Sequence, residues 1–200
     1  MLFVINYQLS MSDKSNSINF QLSRMYIYFN SRFIDNNKQL PISDTGASMK
    51  SVYEAIIDYK ITSELIYPYE IEKCNSIPPK AVYDNAMRNK NPIFNYRRII
   101  PCMYSIKYII SVLKLPIMAG MSVYENFTEL SKNNDVLDKP EGQFLGLHAI
   151  LITGYNDDDK TVTILNSHGT EFGDGGFFRM SYNYLLNANL TFEFWVVNSN

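Results

Sequence analysis

Apolar residues recur at helical spacing through the first part of this chain and turn to alternation in its last third. Over 22–30, Leu22, Met25, Tyr26 and Phe29 fall three and four apart, which predicts one apolar face of a helix. Asp44-Thr-Gly-Ala-Ser48 reads as a helix entry, and Val52, Ala55, Ile56 and Tyr59 then make the stripe of a second helix. Tyr67-Pro68-Tyr69 and Ile77-Pro78-Pro79 disfavour helix, because proline lacks an N–H and pushes the residue before it toward extended backbone. An irregular stretch is expected there, with Pro79 opening a short helix to Ala86. Ile106, Ile109, Ile110 and Leu113 predict a further helix over 103–113.

After Pro116 the pattern changes. Residues 117–124 mix glycine with apolar and β-branched residues, and 148–155 runs strand-like into a polar turn at 156–160. Residues 161–165 return as a strand, so the hairpin brings the outer ends of its arms, His148 and Asn166, to one end. Residues 1–9 read as a short helix or its C-terminal end, and 10–19 as a polar loop. Helices first and strands last give an α+β class rather than alternating βαβ units.

Composition narrows the function classes. The 200 residues are 46% hydrophobic, enough for one substantial core or two small ones. A formal net charge of −2 leaves no basic excess for a phosphate backbone or an anionic membrane, so nucleic acid and membrane are not expected partners. No apolar run approaches the roughly 18 residues needed to span a bilayer, and the apolar start has no basic leader or cleavage site. The chain reads as soluble, with its compartment and oligomeric state left open. Cys74 and Cys102 are too few for a disulfide framework; they either pair or are simply buried. With just His148 and His168 and no cysteine near either, neither a metal site nor a cofactor is expected.

The chemistry-bearing residues cluster late. Gly146-Leu-His148-Ala-Ile-Leu-Ile-Thr-Gly154-Tyr155 is followed by Asn166-Ser167-His168-Gly169-Thr170 and Gly173-Asp-Gly-Gly176-Phe-Phe-Arg179. In order and spacing this resembles the paired His and Asn segments of the papain-like (C1) cysteine peptidases. Ser23-Arg-Met-Tyr-Ile-Tyr-Phe-Asn30, Asp44–Ser48, Tyr67-Pro-Tyr69 and Pro78-Pro79 are similar to the helical half of a branch known from bacteria and large DNA viruses. Tyr182 to Leu186 and the pair Phe194-Trp195 resemble its closing barrel segments. The resemblance implies a papain-like α+β fold, with a helical half over 1–115 and a β-rich half over 116–200 carrying His148 and Asn166. It also implies a peptide or protein held in a cleft between the halves.

In that family a thiol becomes an effective nucleophile when an imidazole takes its proton, and a carboxamide on the other ring nitrogen fixes tautomer and orientation. The resemblance assigns the first role to His148 and the second to Asn166. It places the cysteine about 130 to 150 residues before the histidine, between a point upstream of Met1 and about residue 18, where no cysteine occurs. Cys74 and Cys102 lie in segments that resemble other parts of the family. The nucleophile and its oxyanion donors are therefore missing from the readable match. Three explanations follow: a fragment or mis-assigned start, a decayed gene product, or a homologue retained for binding. His168 also departs from the pattern, standing where the family has a tryptophan over the Asn–His contact, and its smaller ring is expected to leave that contact open to water.

Plainer uses are available for each residue. Asn166 suits a strand-closing turn, and the glycines after it suit loop conformation, since no lysine-bearing helix follows to make a phosphate cradle. Asp157, Asp158 and Asp159 lack the spaced ligands of a calcium loop and read as a solvated turn.

Overall fold

The computed structural model of the chain describes residues 21–89 and 94–199, so the readings made for 1–9 and 10–19 lie outside the described residues. Contacts divide the described chain between Phe94 and Asn95.

The N-terminal unit holds α1 (Arg24–Asp35), α2 (Met49–Tyr59) and α3 (Lys80–Arg88), with a short 3-10 turn at Ile71–Lys73. Each of the first two helices starts at a serine. Ser23 Oγ accepts the Tyr26 N–H at 3.1 Å and Ser48 Oγ accepts that of Ser51 at 3.1 Å, satisfying donors that a helix start leaves unpaired. The apolar stripes read from the sequence are the buried ones: Met25, Tyr26 and Phe29 on α1, and Val52, Ala55 and Ile56 on α2. Arg32 is 2% exposed, and its charge is met by carbonyls. Its guanidinium donates to Ser43 O at 2.8 Å, to Asn75 Oδ1 at 2.6 Å and to Cys74 O, and it lies 3.9 Å from the centre of the Tyr28 ring.

The second unit is built on one sheet. Its strands are β1 (Phe94–Arg98), β2 (Ile117–Tyr124), β3 (Val136–Leu137), β4 (Phe144–Asn156), β5 (Thr161–Leu165), β6 (Phe177–Ser181) and β7 (Thr191–Ser199). Among the described residues their order is β1-β7-β2-β4-β5-β6-β3. The β2–β4, β2–β7, β4–β5 and β5–β6 pairs are antiparallel, and β3 joins β6 in parallel.

A further helix, α4 (Met103–Ser111), packs on β2 and β4 and buries Ile106 and Ile109 in the core those strands make with Ile117, Ala119, Ile150 and Ile152. By sequence alone this helix falls in the helical half over 1–115, whereas its contacts are with the sheet. Periodicity shows that a helix has an apolar face, but not which element will cover it. Residues 182–186, read as a barrel segment, instead form the short helix α5 (Tyr182–Leu185), capped by Ser181 Oγ accepting the Tyr184 N–H at 3.2 Å.

Candidate functional site

The hairpin of β4 and β5 determines where His148 and Asn166 meet. Asn156 faces Thr161 beside the turn and Leu151 faces Leu165 further out, with Thr153 inserted as a one-residue bulge between the Ile152–Ile164 and Gly154–Thr163 pairs. Beyond the bulge the period of two runs undisturbed: Ile152 and Ile150 lie in the core, and His148 is the next residue on that face. On β5 the same face carries Val162 and Ile164 in the core, then Asn166. Two apolar stripes on neighbouring strands thus end side by side in an imidazole and a carboxamide.

His148 Nε2 and Asn166 Oδ1 are 2.7 Å apart. The polarity of this bond follows from a second contact, because Asn166 Oδ1 also accepts the Ser167 N–H at 2.8 Å, and a backbone N–H can only donate. The oxygen therefore faces His148, and Nε2 must carry the proton. Nδ1 is left with its lone pair, in the state needed to take a proton from a neighbouring group. Burial lowers the pKa of the imidazole below its usual value, the Asn166 acceptor pulls it partly back, and nearby His168 pushes it down again. The net shift favours the neutral ring.

Around this pair lies an aromatic box. The His168 ring stacks on that of His148 with centroids 5.1 Å apart and planes 28° from parallel. Phe127 stands 5.8 Å from His148 and 6.0 Å from His168, and Phe172 stands 5.4 Å from His168. Asn166 is 6% exposed, so the expected wetting of the contact does not occur on its side. His168, itself exposed, keeps an aromatic surface against the pair, and its Nδ1 is 3.1 Å from Asn166 Nδ2. An open cavity of about 380 Å³ adjoins His148, walled by Val123, Phe127, Leu145, Leu147 and Phe172.

The sequence pattern described as "Papain family cysteine protease" matches residues 14–193. The chain belongs to the papain family of cysteine proteases. It is 29% identical, over 96% of its own length, to the uncharacterized peptidase C1-like protein L477 of Acanthamoeba polyphaga mimivirus, and 28% identical, over 69%, to cathepsin S of Rattus norvegicus. It covers 63% of the first of these relatives and 41% of the second. Xylellain, a cysteine protease from Xylella fastidiosa, is similar in structure at a TM-score of 0.79 with 26% identity, covering 100% of this chain and 78% of that one. The bromelain protease from Ananas comosus shares the fold at a TM-score of 0.63 and 20% identity, over 100% of this chain and 86% of that one. The α+β papain-like class read from the sequence is therefore the fold.

Other residues of this papain-family chain are accounted for elsewhere. Cys74 is buried in the N-terminal unit, while Cys102 is exposed ahead of α4, 3.1 Å from Ser105 Oγ, a contact that lowers its thiol pKa. They are free thiols rather than a pair. Among the described residues, no cysteine lines the cavity beside His148. Two of the three aspartates of the 156–160 turn are ion-paired and not simply solvated: Asp157 meets Lys107, and Asp159 meets Arg179 at 2.7 Å. Among the described residues, no group of three or more His, Cys, Asp or Glu side chains is placed to hold a metal ion, and no helix is long and apolar enough to cross a membrane. The aromatic residues Phe127 and Phe172 went unread in the sequence. Each is a single ring in a polar or glycine-rich stretch, and neither belongs to a period that marks a wall.

Proposed function

We propose that this chain supplies the base and its orienting group for peptide-bond hydrolysis by a thiol, with His148 as the base and Asn166 as the orienter. The observation that carries this reading is the 2.7 Å contact between His148 Nε2 and Asn166 Oδ1, whose polarity leaves Nδ1 free to accept. In the step this geometry serves, the thiol S–H bond breaks and its proton passes to Nδ1. The thiolate adds to the peptide carbonyl carbon. When the C–N bond breaks, the imidazolium returns the proton to the departing amine, and water then hydrolyses the thioester. The apolar cavity beside His148 suits an apolar side chain of an extended peptide.

The thiol in this reading is neither Cys74 nor Cys102, and lies outside these 200 residues. The test is to treat the protein isolated from its source with a thiol-directed epoxide and map the adduct by mass. A labelled cysteine outside the 200 residues, lost with His148→Ala, is the expected result. His148-dependent labelling of Cys102 or Cys74 would overturn the exclusion of those thiols. A second reading, a peptidase homologue that binds an extended peptide by backbone pairing without cutting it, is favoured by the lack of a cysteine among the described residues around the cavity. It predicts no label, and peptides recovered bound and intact.

A further inference from the structure

Asn166 can hold His148 productively in one of two ways round and unproductively in the other. A carboxamide is nearly symmetric in shape but opposite in hydrogen bonding at its two ends. With the oxygen toward His148, Nε2 is protonated and Nδ1 accepts. With the amide nitrogen toward His148, Nε2 must accept instead, the ring proton moves to Nδ1, and the face meant for a thiol proton is already occupied. The orientation of one amide thus decides whether the ring can act as a base.

Two contacts resist that flip. One is the Ser167 N–H, which donates to Asn166 Oδ1 at 2.8 Å. The other is His168, whose Nδ1 stands 3.1 Å from Asn166 Nδ2. An amide nitrogen only donates, so His168 must present Nδ1 as an acceptor. Its remaining nitrogen then bears the proton, and because His168 is exposed, water can serve it. A tryptophan at this position would cover the pair but offer no acceptor, since an indole has one N–H donor alone. A histidine can cover and accept at once.

We propose that His168 is a positioning residue: by accepting the Asn166 amide N–H at Nδ1 it fixes which end of the carboxamide faces His148, and so fixes the tautomer of His148. The inference rests on the proposed roles of His148 and Asn166. It concerns the state of a ring rather than turnover, and is measurable on the chain as it stands.

The sequence contains two histidines, His148 and His168, so both imidazoles can be read in one long-range ¹H–¹⁵N spectrum of the ¹⁵N-labelled protein at pH 8. Both rings are expected as single Nε2–H tautomers. His168→Phe keeps a ring against His148 but removes the acceptor, and is expected to turn His148 into a mixture of tautomers. His168→Asn places an amide oxygen near the position of Nδ1 and is expected to restore the single form. A His148 that stays wholly Nε2–H in His168→Phe would overturn the proposal, assigning the orientation to Ser167 alone. A mixture that persists in His168→Asn would overturn it too, since packing would then be the cause. Should the phenylalanine variant fail to fold, the parent spectrum still decides, because an Nδ1–H tautomer of His168 is incompatible with the proposal. Failure of the native protein to take an epoxide label would sink the proposed hydrolysis while leaving this result intact.

Discussion

Met121 stands opposite His148 across the β2–β4 ladder and has no exposed surface. Directly paired residues of an antiparallel ladder share a face, so the thioether lies on the core side beside the imidazole. Ile117 and Ala119 continue this floor along β2 and pair with Ile152 and Ile150. Met121→Ala is expected to cost about 2–5 kcal/mol, through lost burial and the void left behind. Urea denaturation measures it, and an unchanged midpoint would show that the floor does not depend on this residue.

Asn166→Asp puts a carboxylate where a neutral amide now meets the ring. An opposite charge at hydrogen-bond distance favours imidazolium, so the His148 pKa is expected to rise by about 1 unit or more from its depressed native value. An NMR titration of the two imidazoles reads this directly. A fall, or no change, would contradict the direct contact between the two side chains.

The same depressed pKa makes His148 a source of acid sensitivity. Its folded value lies below the ordinary 6.5, so the unfolded chain takes up its proton first as pH falls. The stability it contributes is fully present above the unfolded pKa and is lost as pH drops through the lower folded value. Denaturant unfolding from pH 8 to pH 5 should therefore show a steeper loss in the parent than in His148→Gln. Parallel curves would mean that burial does not hold the ring neutral.

Gly173 governs the loop behind Asn166. Its φ is +59°, and a Cβ there would come within 2.1 Å of the Phe177 carbonyl oxygen, a backbone atom that cannot swing aside. This loop also returns Gly176 O to the Asn166 N–H at 2.9 Å and Phe172 O to the Gly176 N–H at 2.9 Å. Gly173→Ala is expected to cost at least about 1–3 kcal/mol from the backbone conformation alone. Thermal unfolding checks it, with a melting point unchanged from the parent as the contrary result.

Several of these relationships were legible in the residues themselves. The helical stripes of Met25, Tyr26 and Phe29 and of Val52, Ala55 and Ile56, and the strand at Thr161–Leu165, follow from local periodicity. The meeting of His148 with Asn166 follows from one hairpin. What escaped depends on partners distant in sequence. β1 and β6 are strands because β7 and β5 lie beside them, and nothing in Phe94–Arg98 or Phe177–Ser181 alone announces that pairing. Helix α4 was visible, but its seat on β2 and β4 was not. His168 was read as the loss of a cover, because a one-letter comparison with tryptophan weighs size and not the lone pair on Nδ1. The loop that turns that lone pair toward Asn166 is shaped by glycines whose conformations no periodicity reports.

The core stripes of β4 and β5 also govern how long the His148–Asn166 alignment persists. His148 is paired with Met121 inside the β2–β4 ladder, and Asn166 follows the last residue of β5 with its N–H bonded to Gly176 O, so neither can drift without breaking backbone pairing. Surface loops can breathe while the two remain in register. The contact should thus have the lifetime of the sheet rather than of a loop, and the amide of Ile150, one pair inward, should exchange with solvent about as slowly as the most protected amides of the sheet.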